Sequence, residues 1–109
     1  MAEEAKIIAQ SAPSATTETV LYTVPAATQF IGSTLRVANR GATDTTFRIA
    51  LRPAGATITD AMWIAYDIPV AANDTTGLTD GLTLGATDVI TVYAGNANLS
   101  FNLSGVEIT

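Results

Sequence analysis

Short runs in which apolar and polar residues alternate, each closed by Gly, Asn, Asp or Pro, fill the chain from Thr19 onward and leave little room for anything but β-structure. Thr, Val, Ile, Leu and Ala dominate these runs, and side chains of this kind suit a pleated, half-buried surface. No segment carries an i, i+3, i+4, i+7 apolar stripe over successive turns. TVLYTV (Thr19–Val24) sets Val20, Tyr22 and Val24 on one face, and QFIGSTLRVAN sets Ile31, Leu35 and Val37 together. TTFRIALR sets Phe47, Ile49 and Leu51 against Arg48 and Arg52, and AMWIAYDI sets Met62, Ile64, Tyr66 and Ile68 against Trp63, Ala65 and Asp67. TTGLTDGLTL reads as a strand or a small hairpin about Asp80-Gly81. DVITVYA alternates Val89, Thr91 and Tyr93 with Ile90 and Val92, and LSFNLSGVEI carries Leu99, Phe101 and Leu103, then Val106 and Ile108. Seven to eight short strands at this spacing predict an all-β chain, an antiparallel β-sandwich of jelly-roll-like form.

Residues 1–18 differ. KIIAQ has the makings of a short strand, but SAPSATTE after it reads as an extended linker, so this segment is expected to be an N-terminal arm and residues 19–109 the single sandwich domain. Such an arm orders either on a neighbouring chain, the favoured expectation, or on the sheet edge of its own domain. At 109 residues the chain has the size of one domain with one modest core. Hydrophobic residues at 48% exclude a disordered chain, and charged residues at 14% exclude a long helix or coiled coil. No apolar run approaches the ~20 residues of a membrane helix, and MAEEAKIIAQ lacks the apolar stretch of a secretory signal.

The net charge of −5 speaks against nucleic acid and against an anionic membrane surface as partners. The basic residues are few and crowded: apart from Lys6 they are Arg36, Arg40, Arg48 and Arg52. A hairpin of residues 30–39 and 45–52 is expected to set Leu35 against Ile49 and Val37 against Phe47 inward, with Arg36 opposite Arg48 outward and Arg40 opposite Asp44 at the turn. Like charges face to face are mildly destabilising, so carboxylates are expected nearby: Asp60 and Asp67 on the next strand, or acids of another subunit. An ordinary solvated sheet face and a subunit interface are equal readings of this cluster.

Chemistry is sparse. Without histidine or cysteine there is no Ser-His or Cys-His nucleophile, no transition-metal ligand set and no disulfide. Asp44, Asp74, Asp80 and Asp88 stand beside Gly, Asn or Thr at turns, where aspartate bonds nearby backbone, and none makes a calcium-loop pattern. Neither catalysis nor a cofactor is expected. Trp63 shares its parity with Asp67, which places an aromatic on the less apolar face as an anchor for a partner or, alternatively, a platform for a sugar.

KIIAQSAPSATTETVLYTVPAAT, NRGATDTTFRIALRPAGA, WIAYDIPVAANDT and LTLGATDVITVYAGNANLSFNLSGVEIT, taken in order from Lys6 to Thr109, resemble a group of small structural proteins encoded by tailed bacteriophages. The pieces that carry the resemblance are LYTVPAAT, the NRGAT and FRIA segments with RPAGA, IAYD, and ATDVITVYA with ANLSF; LTDGLTLG departs from it, since Asp80-Gly81 breaks an otherwise continuous strand. The resemblance implies a virion component made in the host bacterial cytoplasm, most specifically a capsid cement or decoration protein. Its partners are then the major capsid protein or tail and neck proteins, together with further copies of itself. A small tail or neck component is the alternative location, and a carbohydrate-binding module for host attachment is the alternative function. That module requires several exposed aromatics on one sheet, of which the sequence offers Trp63 and Tyr93; a glycan-cleaving enzyme would need Asp60 and Asp67 facing each other across a cleft. The expected subunit interface comprises Lys6, Ile7 and Ile8 of the arm with Arg36, Arg48, Arg52, Trp63 and Asp67.

Overall fold

Apolar residues at every second position of a strand need a second apolar face to cover them. The chain supplies it by folding into two antiparallel sheets packed face to face, as seen in a computed structural model that describes residues 2–79 and 81–109. The strands are β1 (Glu3–Ser11), β2 (Thr19–Thr23), β3 (Gln29–Asn39), β4 (Thr45–Arg52), β5 (Trp63–Val70), β6 (Thr75–Leu78), β7 (Thr83–Leu84), β8 (Val89–Ala94) and β9 (Leu99–Ile108). One sheet has the order β1-β9-β3-β6, with β7 beside β3 as well; the other has the order β2-β8-β4-β5. β1 therefore pairs with β9, Glu3 facing Ile108, and Ala2 and Thr109 exchange backbone hydrogen bonds of 3.1 and 2.8 Å.

The favoured expectation, an arm ordered on a neighbouring chain, is corrected by this pairing, and the alternative, the sheet edge of its own domain, is what the structure has. Residues 3–11 form an edge strand of the domain's own sheet, because Ile8 and Ala9 have apolar surface to bury against the core and β9 offers an unpaired edge. Residues 12–18 then cross to the other sheet, where Ala15 bridges Ala94. The expected β3–β4 hairpin is also corrected: the two strands lie in opposite sheets, β3 between β9 and β6, β4 between β8 and β5. Their inward faces are as expected, with Leu35, Val37, Phe47 and Ile49 all buried, but they meet across the core and not side by side. Asn39 organises the crossing. It is 3% exposed; its amide donates to the carbonyls of Thr43 (2.8 Å) and Val70 (3.3 Å) and its oxygen accepts from Gly41 N–H (2.9 Å), so no polar atom is left unpaired by burial. In the 75–84 segment, β6 and β7 do not pair with each other; both lie along β3. Asp80 of the expected turn lies outside the described residues.

Phe30, Phe47 and Phe101 fill the space between the sheets, each 0–1% exposed. Phe47 of β4 meets Phe101 of β9 edge to face at 6.3 Å, joining the two sheets. The Phe30 ring lies over Gly32 and its cross-strand partner Gly105; a Cβ at Gly105 would stand 2.7 Å from the ring and collide with the Ile31 carbonyl. Gly105→Ala is therefore expected to cost about 1–3 kcal/mol through overpacking, read as a lower urea midpoint at unchanged slope. Deleting residues 1–11 strips a strand from the sheet and bares the β9 edge, so the truncated chain is expected to melt well below the full one and to aggregate. An unchanged melting temperature would show that β1 adds nothing to the fold.

Candidate functional site

Arg48 occupies the middle of the outward face of the β2-β8-β4-β5 sheet. Its cross-strand partner on β8 is Tyr93. On the other side the register slips: Ile49 pairs with Ala65 and Phe47 with Ile68, so the single residue Arg48 faces two residues of β5, Tyr66 and Asp67. This β-bulge sets Asp67 at φ 54, a left-handed backbone that aspartate tolerates better than most residues. It gives Arg48 a ring and a carboxylate at once. Nε donates to Asp67 Oδ1 at 2.7 Å and Nη2 to Oδ2 at 3.4 Å. The guanidinium carbon stands 4.1 Å from the Tyr66 ring centroid and 4.5 Å from that of Tyr93. The ion pair is solvent-screened and therefore weak; its main effect, together with the stacking on Tyr66 and Tyr93, is to hold both rings still.

Trp63 extends the cluster. It pairs with Ala50, and that row continues through Thr91 to Val20, the small Ala50 and Thr91 being almost fully covered although they point outward. Its ring meets Tyr66 at 5.4 Å and 75°, and the two rings with Asp60 line a shallow depression of about 420 Å³. The chain thus sorts its aromatics: the phenylalanines are all inside, while Trp63, Tyr66 and Tyr93 gather outside. The sequence placed Tyr66 with the core-facing residues of its strand; in the structure it is 53% exposed, and Ile64 and Ile68 are also exposed along this edge strand, at 42% and 39%. The signal that was available is the Tyr-Asp step itself, since aspartate inside a strand argues for a bulge.

The other expected interface residues scatter. Arg36 is exposed on the outward face of the opposite sheet, so Arg36 and Arg48 point away from each other. Arg40 donates to the Ala97 carbonyl at 3.1 Å and not to Asp44, whose Oδ1 accepts from Ala72 N–H. Among the described residues Arg52 meets no acid: it donates to the carbonyls of Ala56 (2.8 Å) and Gly55 (3.0 Å) and to Thr91 Oγ1 (3.3 Å), bracing the turn after β4. The turn role expected of Asp88 is seen directly, with Ala54 N–H and Gly85 N–H both donating to its carboxylate. Ile8 is partly buried against the core, whereas Ile7 is 63% exposed. Lys6 bridges Glu4 (3.5 Å) and Glu107 (3.4 Å) within the domain. Glu107 also accepts from the Tyr22 hydroxyl at 2.5 Å, and Tyr22 packs on Phe30 at 5.0 Å. This polar latch joins β1 and β9 of one sheet to β2 of the other. Among the described residues, no group of acidic side chains is arranged to hold a metal ion.

No protein-family model and no curated protein matches the chain.

The latch titrates at both ends of the pH scale. The Tyr22 hydrogen bond, then Lys6, holds the Glu107 carboxyl below its ordinary 4.5, and burial, then Glu107, raises the Tyr22 phenol above its ordinary 10.0. Glu107 therefore contributes stability above about 4.5 that is lost as acid protonates it. The phenol contributes stability below about 10.0 that is lost as the unfolded chain ionises above it. Lys6, raised by Glu107 and then Glu4, acts with the same sign as Tyr22 above 10.5. Denaturant melts across pH are expected to decline at both limits, and Tyr22→Phe to flatten the alkaline decline and shrink the acid one.

Proposed function

We propose that the chain is a non-enzymatic structural protein of a tailed-phage particle, a cement or decoration protein that docks on neighbouring shell subunits. The observation that carries this reading is the outward face of the β1-β9-β3 sheet. Ile7 and Ile31 are 63% and 45% exposed there, with Ala5 and Val106 on the same cross-strand row as Ile31. A shallow depression of about 410 Å³ opens among Ala5, Ile7, Ser33 and Val106. An aliphatic patch of this kind on a lightly charged domain is suited to being covered by a partner. The resemblance of the sequence to phage structural proteins favours the same reading. So does the strand order, in which β1-β9-β3-β6 faces β2-β8-β4-β5 as in an eight-stranded jelly roll, an architecture used by viral shells and lectins alike. In this scheme the chain docks through the face of a finished sheet and not through a loose arm. Weak contacts of this size act through copy number, each site on a symmetric shell raising the effective concentration of the next.

The test uses particles of the phage that carries the gene. Mass spectrometry of purified particles is expected to find the chain, and the double variant Ile7→Glu/Ile31→Glu, altered only at exposed positions, is expected to fold but to be lost from them. Absence of the wild-type chain from particles, or normal incorporation of the double variant, would overturn the proposal.

A further inference from the structure

The aromatic corner on the opposite face has no part in that docking, yet it has the attributes of a ligand site. Trp63 and Tyr66 stand at 75° to one another as two walls, and Asp60 supplies a third side. The depression that the two rings and Asp60 line is shallow and open to solvent, so it offers a surface on which a ring can lie and not an enclosed pocket. Exposed tyrosine and tryptophan offer an apolar face beside a wet polar rim, which matches a pyranose ring: C–H groups on one face, hydroxyls round the edge. We infer that the corner formed by Trp63, Tyr66 and Asp60 is a binding subsite for a neutral saccharide.

Three features favour a sugar over a bulkier or charged ligand. The walls are already fixed, since Arg48 stacks on Tyr66, Asp67 holds Arg48, and the Trp63–Tyr66 contact locks the second ring; little conformational freedom is lost on binding. Asp60 accepts no hydrogen bond from the described residues, so its carboxylate oxygens are open to sugar hydroxyls. Charge then selects against anionic sugars. Asp60 faces the ligand, while Arg48, the nearest cation in the cluster, is spent on Asp67 and the two tyrosines, and the whole molecule carries −5. Tyr93, on the far side of Arg48, continues the aromatic row across the sheet face.

Trp63 is the only tryptophan, so intrinsic fluorescence reports on the site without a label. The full chain is titrated with neutral oligosaccharides built from glucose, galactose, mannose and N-acetylglucosamine, and with sialylated and sulfated counterparts. A saturable change in Trp63 emission is expected with at least one neutral series and none with its anionic counterpart. Tyr66→Ala and Asp60→Ala, both at exposed positions, are each expected to weaken binding by about tenfold or more. Asp60→Ala is expected to keep the wild-type melting temperature, and Tyr66→Ala, which gives up its contacts with Arg48 and Trp63, to lower it slightly while remaining folded; both are expected to keep wild-type incorporation into particles, which separates this site from the docking face. Silence across all neutral series, a response only to anionic sugars, or full binding by both variants would overturn the assignment.

Discussion

The contact on which the rest of the molecule depends is the phenylalanine seam between the sheets. Phe30 and Phe101 reach inward from one sheet and Phe47 from the other, and all three are sealed from water. Everything else is positioned by whether the pleat turns it toward that seam or away from it. The glycine pair at 32 and 105 is the clearest case: two adjacent positions of the inner face give up their side chains so that one ring can lie flat against the backbone. Nearby, where the inner face runs out toward the β1 edge, polarity returns in an ordered way, with Tyr22 facing the seam by its ring and Glu107 by its hydroxyl.

Most of the strands were legible in the sequence because period-two alternation survives as long as the ladder is regular. β3, β4 and β9 have the expected bounds, and the inward set Leu35, Val37, Phe47, Ile49, Leu99, Phe101 and Leu103 is as read. What alternation cannot carry across is a bulge. At Ser33 the β3 register slips by one residue, which turns Phe30 inward and Ile31 outward, against the parity of Leu35 and Val37. The extra residues Ile8, Leu21 and Ile64 shift β1, β2 and β5 in the same way, and the pair Tyr66-Asp67 does so again. The β3–β4 pairing was misread for a different reason. A short polar connection suits a hairpin, but here it is a corner between sheets, and the deciding clamp, Asn39 against Val70, is a contact thirty-one residues apart.

Those same slips create the candidate sites. Without the bulge in β5, Arg48 would face a single residue and have either a ring or a carboxylate, not both. Without the one in β3, Ile31 would be buried and the aliphatic patch with Ile7 would not exist. The two outward faces consequently differ in character, one aliphatic and small, the other aromatic and buttressed by an ion pair. A domain with opposed faces of this kind can be held on one side and remain available on the other.

The pairing of β1 with β9 and of β2 with β8 has a bearing on how the molecule comes into being. During synthesis β1 and β2 emerge long before β8 and β9 and must wait, with their edges bare, until those partners have left the ribosome. Contacts between strands so far apart in sequence are entropically slow to close, so folding of this kind is a late, concerted event and not a progressive one. Threonine, serine and lysine scattered along the waiting strands, in place of unbroken aliphatic runs, are what keep such nascent chains from sticking to one another in the interval.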